Sequence, residues 1–154
     1  MSPPRYYLDT SVLSFAFATE LPERQEATQA LFELVRRGAV EAYISDVVMR
    51  EVSRAPATRR SEIERLVKDI RPAVLEVNEL AAILARRYIA EGIFPRRHEG
   101  DALHVAIASV SSMDCLISWN YSHIVRPATR RRVHAVNLLL GYPGLEIASP
   151  EEVV

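Results

Sequence analysis

Apolar side chains follow two rhythms along this chain. Short runs rich in β-forming residues occur at residues 6–8, 40–45, 73–77, 115–118 and 145–148. Runs of 4–8 residues bounded by turn signals read as strands. Between them the spacing lengthens to that of a helix. Ala27, Ala30, Leu31, Leu34 and Val35 form one stripe, and Ile63, Leu66, Val67 and Ile70 another. Leu80, Ala81, Leu84, Ala85 and Tyr88 form a third, with Ile83 and Ile89 off the stripe, so that helix is expected to be covered on more than one side. Residues 101–112 are apolar almost all round in their first two turns, which predicts a buried helix.

Capping and breaking residues punctuate these segments. Thr10 or Ser11 can cap a short helix through about residue 18, Ser45 or Asp46 one through about 53, and Asn78 the one that Gly92 closes. Pro22 and Pro127 stand at first-turn positions, Gly38 ends the helix begun at Pro22, and Pro56 and Pro72 bracket the helix at 59–70. Residues 93–100 read as a loop carrying Arg96, Arg97 and His98. Strands alternating with helices predict an α/β fold, a central and mainly parallel sheet with helices on both faces. No repeat or linker divides residues 1–154, so one domain is expected.

Composition narrows the setting. The 154 residues are 49% hydrophobic and 25% charged, enough for an ordinary core. No apolar run approaches the roughly 20 residues that cross a bilayer. With residues 1–4 running directly into the first strand no cleaved leader is expected, and the single Cys115 excludes an internal disulfide framework and a multi-cysteine zinc site. A cytoplasmic protein, with no membrane partner, is therefore expected. The net charge of −1 gives no global pull toward nucleic acid. Of 19 basic residues all but Lys68 are Arg, which suits phosphate contacts and equally suits a GC-rich genome.

Polar residues then stand out where the apolar pattern does not want them. Asp9 ends the first strand, Glu51 lies in an apolar helix, Asp101 opens the most hydrophobic helix, and Asn120 follows a buried strand. In a parallel sheet, the carboxyl ends of strands and the amino ends of the following helices share one edge. Asp9, Asp101 and Asn120 would meet there, and Glu51 could reach in. Carboxylates about 4 Å apart repel by on the order of 4 kcal/mol at an effective dielectric of about 20. Retained protons, Arg pairing or divalent cations relieve that repulsion. All-oxygen ligands favour Mg²⁺ or Mn²⁺ over zinc. Each residue also has a plainer reading: Asp9 as a helix-start charge, Glu51 as a solvated acid, Asp101 as an N-cap, Asn120 as a turn residue. His104 reads as a packed or supporting histidine before it reads as a ligand, and His123 as either a surface residue or a phosphate contact.

The segments Tyr7-Leu-Asp-Thr-Ser11, Ser45 with Glu51, Gly100-Asp-Ala-Leu-His-Val-Ala-Ile-Ala108 and Leu116-Ile-Ser-Trp-Asn-Tyr-Ser-His-Ile-Val125, with a tail at residues 147–152, resemble PIN-domain proteins of the VapC-like toxin type over essentially the whole chain. The resemblance implies a three-layer α/β/α domain and Mg²⁺- or Mn²⁺-dependent cleavage of RNA. It implies Asp9, Glu51 and Asp101 as metal-binding acids and Asn120 as a fourth catalytic position, where many members carry an acid. It also implies Thr10, Ser11, His104, Ser118 and His123 as supporting groups or phosphate contacts. Asn120 keeps an oxygen but removes a charge, so a second metal would bind more weakly. The same resemblance implies a toxin of a type II pair, a cognate antitoxin partner and a homodimer. Arg96, Arg97, Arg130, Arg131 and Arg132 are candidate phosphate contacts. Two other readings compete. An aspartyl-nucleophile phosphatase would need a second Asp where Ser11 stands, and a non-catalytic PIN-like scaffold would bind RNA or a protein without cutting.

Overall fold

The structure, a computed structural model, describes residues 2–154. Five strands form one parallel sheet: β1 (Arg5–Leu8), β2 (Glu41–Ser45), β3 (Ala73–Leu75), β4 (Cys115–Ile117) and β5 (Glu146–Ala148). Their spatial order is β3-β2-β1-β4-β5, so β1 is central. Register pairs Tyr7 with Tyr43 on one side, and Tyr6 with Cys115 and Leu8 with Ile117 on the other. The chain first builds outward through β2 and β3, then returns to the opposite side of β1 for β4 and β5. That reversal between β1 and β4 is a topological switch point, where the crevice at the strands' carboxyl ends collects ligands in open α/β sheets.

Eight α-helices cover the sheet: α1 (Thr10–Phe15), α2 (Pro22–Arg36), α3 (Asp46–Ser53), α4 (Ala57–Ile70), α5 (Glu79–Ala90), α6 (Glu99–Val110), α7 (Pro127–Leu139) and α8 (Pro150–Val153). Helices α5 and α6 pack together as one pair, while α1, α2, α4 and α8 form a second group. The result is the expected three-layer α/β/α arrangement. Its core joins Tyr7, Leu8, Leu116 and Ile117 of the central strands to Leu84 and Tyr88 of α5 and to Val105 and Ile107 of α6. Among the described residues, no helix is long and apolar enough to cross a membrane.

Several local expectations change. Asp9 itself caps α1, its side chain accepting from the Val12 N–H, so neither Thr10 nor Ser11 is the cap. Both hydroxyls are thereby released for other partners. Helix α6 starts at Glu99, after a single 3-10 turn at Arg96–His98 within the expected loop. Asp101 is therefore inside the first helical turn and is not the N-cap. On α2 the buried positions are Thr28, Leu31 and Phe32, which rotates the apolar face away from Ala30. On α5, Leu80 of the stripe and Ile83 off it are 57% and 48% exposed while Ile89 packs against the core, so the second side is covered only in part. Ser45 and Asn78 do cap α3 and α5, accepting from the Val48 and Ala81 N–H groups. Gly92 takes φ +74° and lets the Ile93 N–H reach back to the Tyr88 carbonyl, which ends α5.

Candidate active site

Asp9 leaves β1 at the switch point and is only 4% exposed. Its carboxylate is held from three sides. Ser11 Oγ–H donates to Oδ1 and Ser118 Oγ–H to Oδ2, each at 2.5 Å, and the Val12 N–H reaches Oδ1 at 3.3 Å. The two serines are fixed in turn: Ser11 Oγ accepts from the Trp119 N–H at 2.9 Å, and Ser118 Oγ from the Asn120 N–H at 2.9 Å. The loop after β4 is thus tied to the start of α1 through Asp9. Burial pushes the Asp9 carboxyl above its ordinary value, against the opposing pull of His104 and of these donors.

Glu51 lies on α3, whose first turn is set by the Ser45 cap. Thr10 Oγ1–H donates to Glu51 Oε1 at 2.7 Å, and His104 Nε2 lies 2.6 Å from the same oxygen. The position of a Gly100 Cβ would be 3.5 Å from Glu51 Oε2, so this carboxylate rests beside the first turn of α6. Burial opposes its charge, but the hydrogen bond and charge of His104, with help from Thr10 and Arg54, prevail and hold the carboxyl below its ordinary value.

His104 is 2% exposed and sits among all the acids. Burial disfavours its charge, yet the hydrogen bond to Glu51 and the charges of Asp9, Glu51 and Asp101 outweigh that and raise its basicity. As imidazolium it donates Nε2–H to Glu51 and Nδ1–H to the Tyr7 hydroxyl at 2.7 Å, and Tyr7 donates onward to Ser45 Oγ at 2.8 Å. Burial also raises the Tyr7 phenol, which keeps that hydroxyl neutral.

Asp101 faces the same edge from α6. Burial raises its carboxyl, and the charge of Asp9 adds to that, while His104, His123 and His98 pull the other way. Asn120 Nδ2–H donates toward Asp101 Oδ2 at 3.3 Å. Asn120 Oδ1 accepts from the His123 N–H at 3.0 Å. A backbone N–H requires the oxygen there, so the amide presents its N–H to the acids. The expected oxygen ligand is thus turned away, and Asn120 acts as a donor. The His123 ring stacks on His98 with centroids 4.1 Å apart, and His98 Nδ1 is 3.9 Å from Asp101 Oδ2.

Of the three acids Glu51 touches His104, while Asp9 and Asp101 act on it through charge and are each satisfied by other donors. Among the described residues, no three acidic, histidine or cysteine side chains gather around one point as they stand. The donor chemistry nevertheless suits a hard cation. Asp9, Glu51 and Asp101 offer only carboxylate oxygens, the donor type that Mg²⁺ or Mn²⁺ takes.

No family model matches the chain, and no curated protein matches it by sequence. Solved structures do match by shape. VapBC2 from Rickettsia felis, bound to a DNA fragment from its promoter, aligns with TM-score 0.59 at 14% identity over 94% of this chain and 98% of that one. DNA-bound VapBC from Salmonella typhimurium aligns with TM-score 0.59 at 18% identity, over 96% and 98% of the two chains. The chain has the VapC-like PIN fold. At this level of identity the likeness concerns backbone architecture, and the side-chain roles rest on the geometry above.

Within the PIN fold the basic residues divide. Arg130 pairs with Glu152, and Arg132 donates to the carbonyls of Gly92 and Glu91, so neither is poised for a phosphate in this arrangement. Arg96 and Arg97 remain exposed on the turn leading to Asp101. Sequence reading missed Tyr7 and His98 as parts of the site. Tyr7 had a usable signal, because strand side chains alternate and residue 7 lies on the same face as Asp9. His98 had none, since its stacking on His123 joins two distant loops.

Proposed function

We propose that this protein is a Mg²⁺- or Mn²⁺-dependent endoribonuclease, the toxin of a type II toxin–antitoxin pair. The observation that carries the reading is the placement of Asp9 and Asp101 beside the pair of Glu51 and buried His104 at the switch point of a VapC-like PIN fold. A divalent cation held by these three acids would polarise the scissile phosphodiester and acidify a bound water. The protein's own groups prepare that site. Ser11 and Ser118 fix Asp9, Thr10 and His104 fix Glu51, and Asn120 steers Asp101. His98, His123, Arg96 and Arg97 supply positive or hydrogen-bonding groups for the RNA backbone beside an otherwise acidic edge.

An antitoxin partner is supported by the nature of the neighbours, which are VapBC complexes. A homodimer is supported by the exposed apolar side chains Leu80 and Ile83 of α5 and Leu138–Leu140 at the end of α7. The donor orientation of Asn120 favours a second reading, a non-catalytic RNA-binding scaffold, because it leaves the set without a fourth oxygen ligand.

The test is cleavage of labelled single-stranded RNA by purified protein with Mg²⁺, Mn²⁺ or EDTA, repeated with Asp9→Asn. Metal-dependent cutting lost in the variant is expected. Equal degradation by both proteins rejects the assignment to this site, and binding without cutting by either favours the scaffold.

A further inference from the structure

We propose that Tyr121, backed by Trp119 and Arg24, is a stacking platform for an unpaired RNA base next to the acidic site. This rests on RNA being the ligand of that site, and it assigns a part of the molecule that the cleavage chemistry does not use.

Three aromatic rings gather around one guanidinium. Arg24 Cζ lies 5.7 Å from the Phe15 centroid, 5.3 Å from Trp119 and 5.4 Å from Tyr121. Phe15 and Trp119 lie 5.5 Å apart at 33°, and Tyr121 meets Trp119 edge-on at 6.3 Å and 65°. Trp119 is 3% exposed and pinned at both ends, its Nε1–H donating to Thr28 Oγ1 at 2.8 Å and its backbone N–H to Ser11 Oγ. Tyr121 is 40% exposed. A rigid, buried base thus carries one partly exposed aromatic ring, with the Arg24 guanidinium over it.

Its position connects it to the acids. Tyr121 follows Asn120, whose side chain reaches Asp101, while the Trp119 N–H holds the serine that holds Asp9. A strand whose phosphodiester lies over the acids would therefore bring a neighbouring base to this ring.

The local charges favour a base over a phosphate. The Arg24 cation lies over the rings, and the adjoining cavity of about 400 Å³ is lined by Leu21, Pro22, Glu23, Arg24 and Glu151. Glu151 Oε2 is 3.4 Å from the Tyr121 hydroxyl. Glu23 and Glu151 repel a phosphate but accept hydrogen bonds from an exocyclic amine, as carboxylates do from cytosine N4. An amine-bearing base, cytosine, adenine or guanine, is favoured over uracil.

The test is binding of single-stranded RNA in EDTA, which removes cleavage, read by anisotropy and by quenching of 2-aminopurine placed along the strand. Stacking contributes about 1–3 kcal/mol per base, so Tyr121→Ala should weaken binding by roughly 5- to 150-fold. Tyr121→Phe should keep affinity and quenching. Tyr121→Leu keeps apolar bulk without an aromatic face and should behave like Ala. Oligo-U should bind more weakly than oligo-C or oligo-A. Unchanged affinity in both the Ala and Leu variants overturns the proposal, as does absence of RNA binding by the wild type. Tyr121-dependent binding by a protein that never cuts RNA would retain the platform and reject the nuclease. Metal-dependent cutting with no Tyr121 effect on binding would do the reverse.

Discussion

Glu51 and His104 hold each other in their charged forms. Burial disfavours both charges, but their contact raises the basicity of the imidazole and lowers that of the carboxyl. The pH dependence has a definite sign. A raised histidine contributes stability that is fully present below its ordinary value of 6.5 and is lost as pH climbs through the raised folded value. A depressed glutamate contributes stability present above its ordinary value of 4.5 and lost as pH falls through the depressed one. The stability gap between wild type and His104→Gln, from urea unfolding, should therefore be largest between about pH 4.5 and 6.5 and shrink as pH rises through the raised folded value. A gap independent of pH would mean that the contact is an ordinary neutral hydrogen bond. The identities of Asp9, Glu51, Asp101 and Asn120 were legible as polar residues in apolar settings. The turn of the Asn120 amide was not, because it depends on where the His123 N–H points after the chain has folded.

At the scale of elements, each acid depends on how one helix begins. Asp9 caps α1, Glu51 rides on α3 behind the Ser45 cap, and Asp101 sits in the first turn of α6, where the helix dipole favours a carboxylate. Ser45 has two tasks, since its hydroxyl also accepts from Tyr7, the residue behind His104. Ser45→Ala should cost about 0.5–2 kcal/mol in denaturant unfolding, the range for a lost cap, and should also slow cleavage by loosening Glu51. Loss of stability with no change in rate would separate the cap from the site. All five strands and most helices were readable from periodicity and breakers, because parallel strands buried on both faces give continuous apolar runs. The 3-10 turn at Arg96–His98 and the four-residue α8 are too short to carry a period. The exposure of Leu80 was hidden because periodicity reports which residues share a face and says nothing of what covers it.

The whole molecule brings together residues far apart in sequence because β1 is central and the chain reverses around it. Asp9 and Ser118 are 109 positions apart, yet one hydrogen bond joins them. In the proposed nuclease Asp9 and Asp101 serve one site. Groups that act as a unit give strongly non-additive losses. The most direct measurement is a double-mutant cycle on metal-dependent RNA cleavage with Asp9→Asn, Asp101→Asn and both together. Each single change should slow cleavage by at least about two orders of magnitude, a loss of about 2.7 kcal/mol in transition-state stabilisation. The double variant should be no slower than the slower single one. Losses that multiply, or an Asp101→Asn variant that cuts at the wild-type rate, would contradict a single shared site.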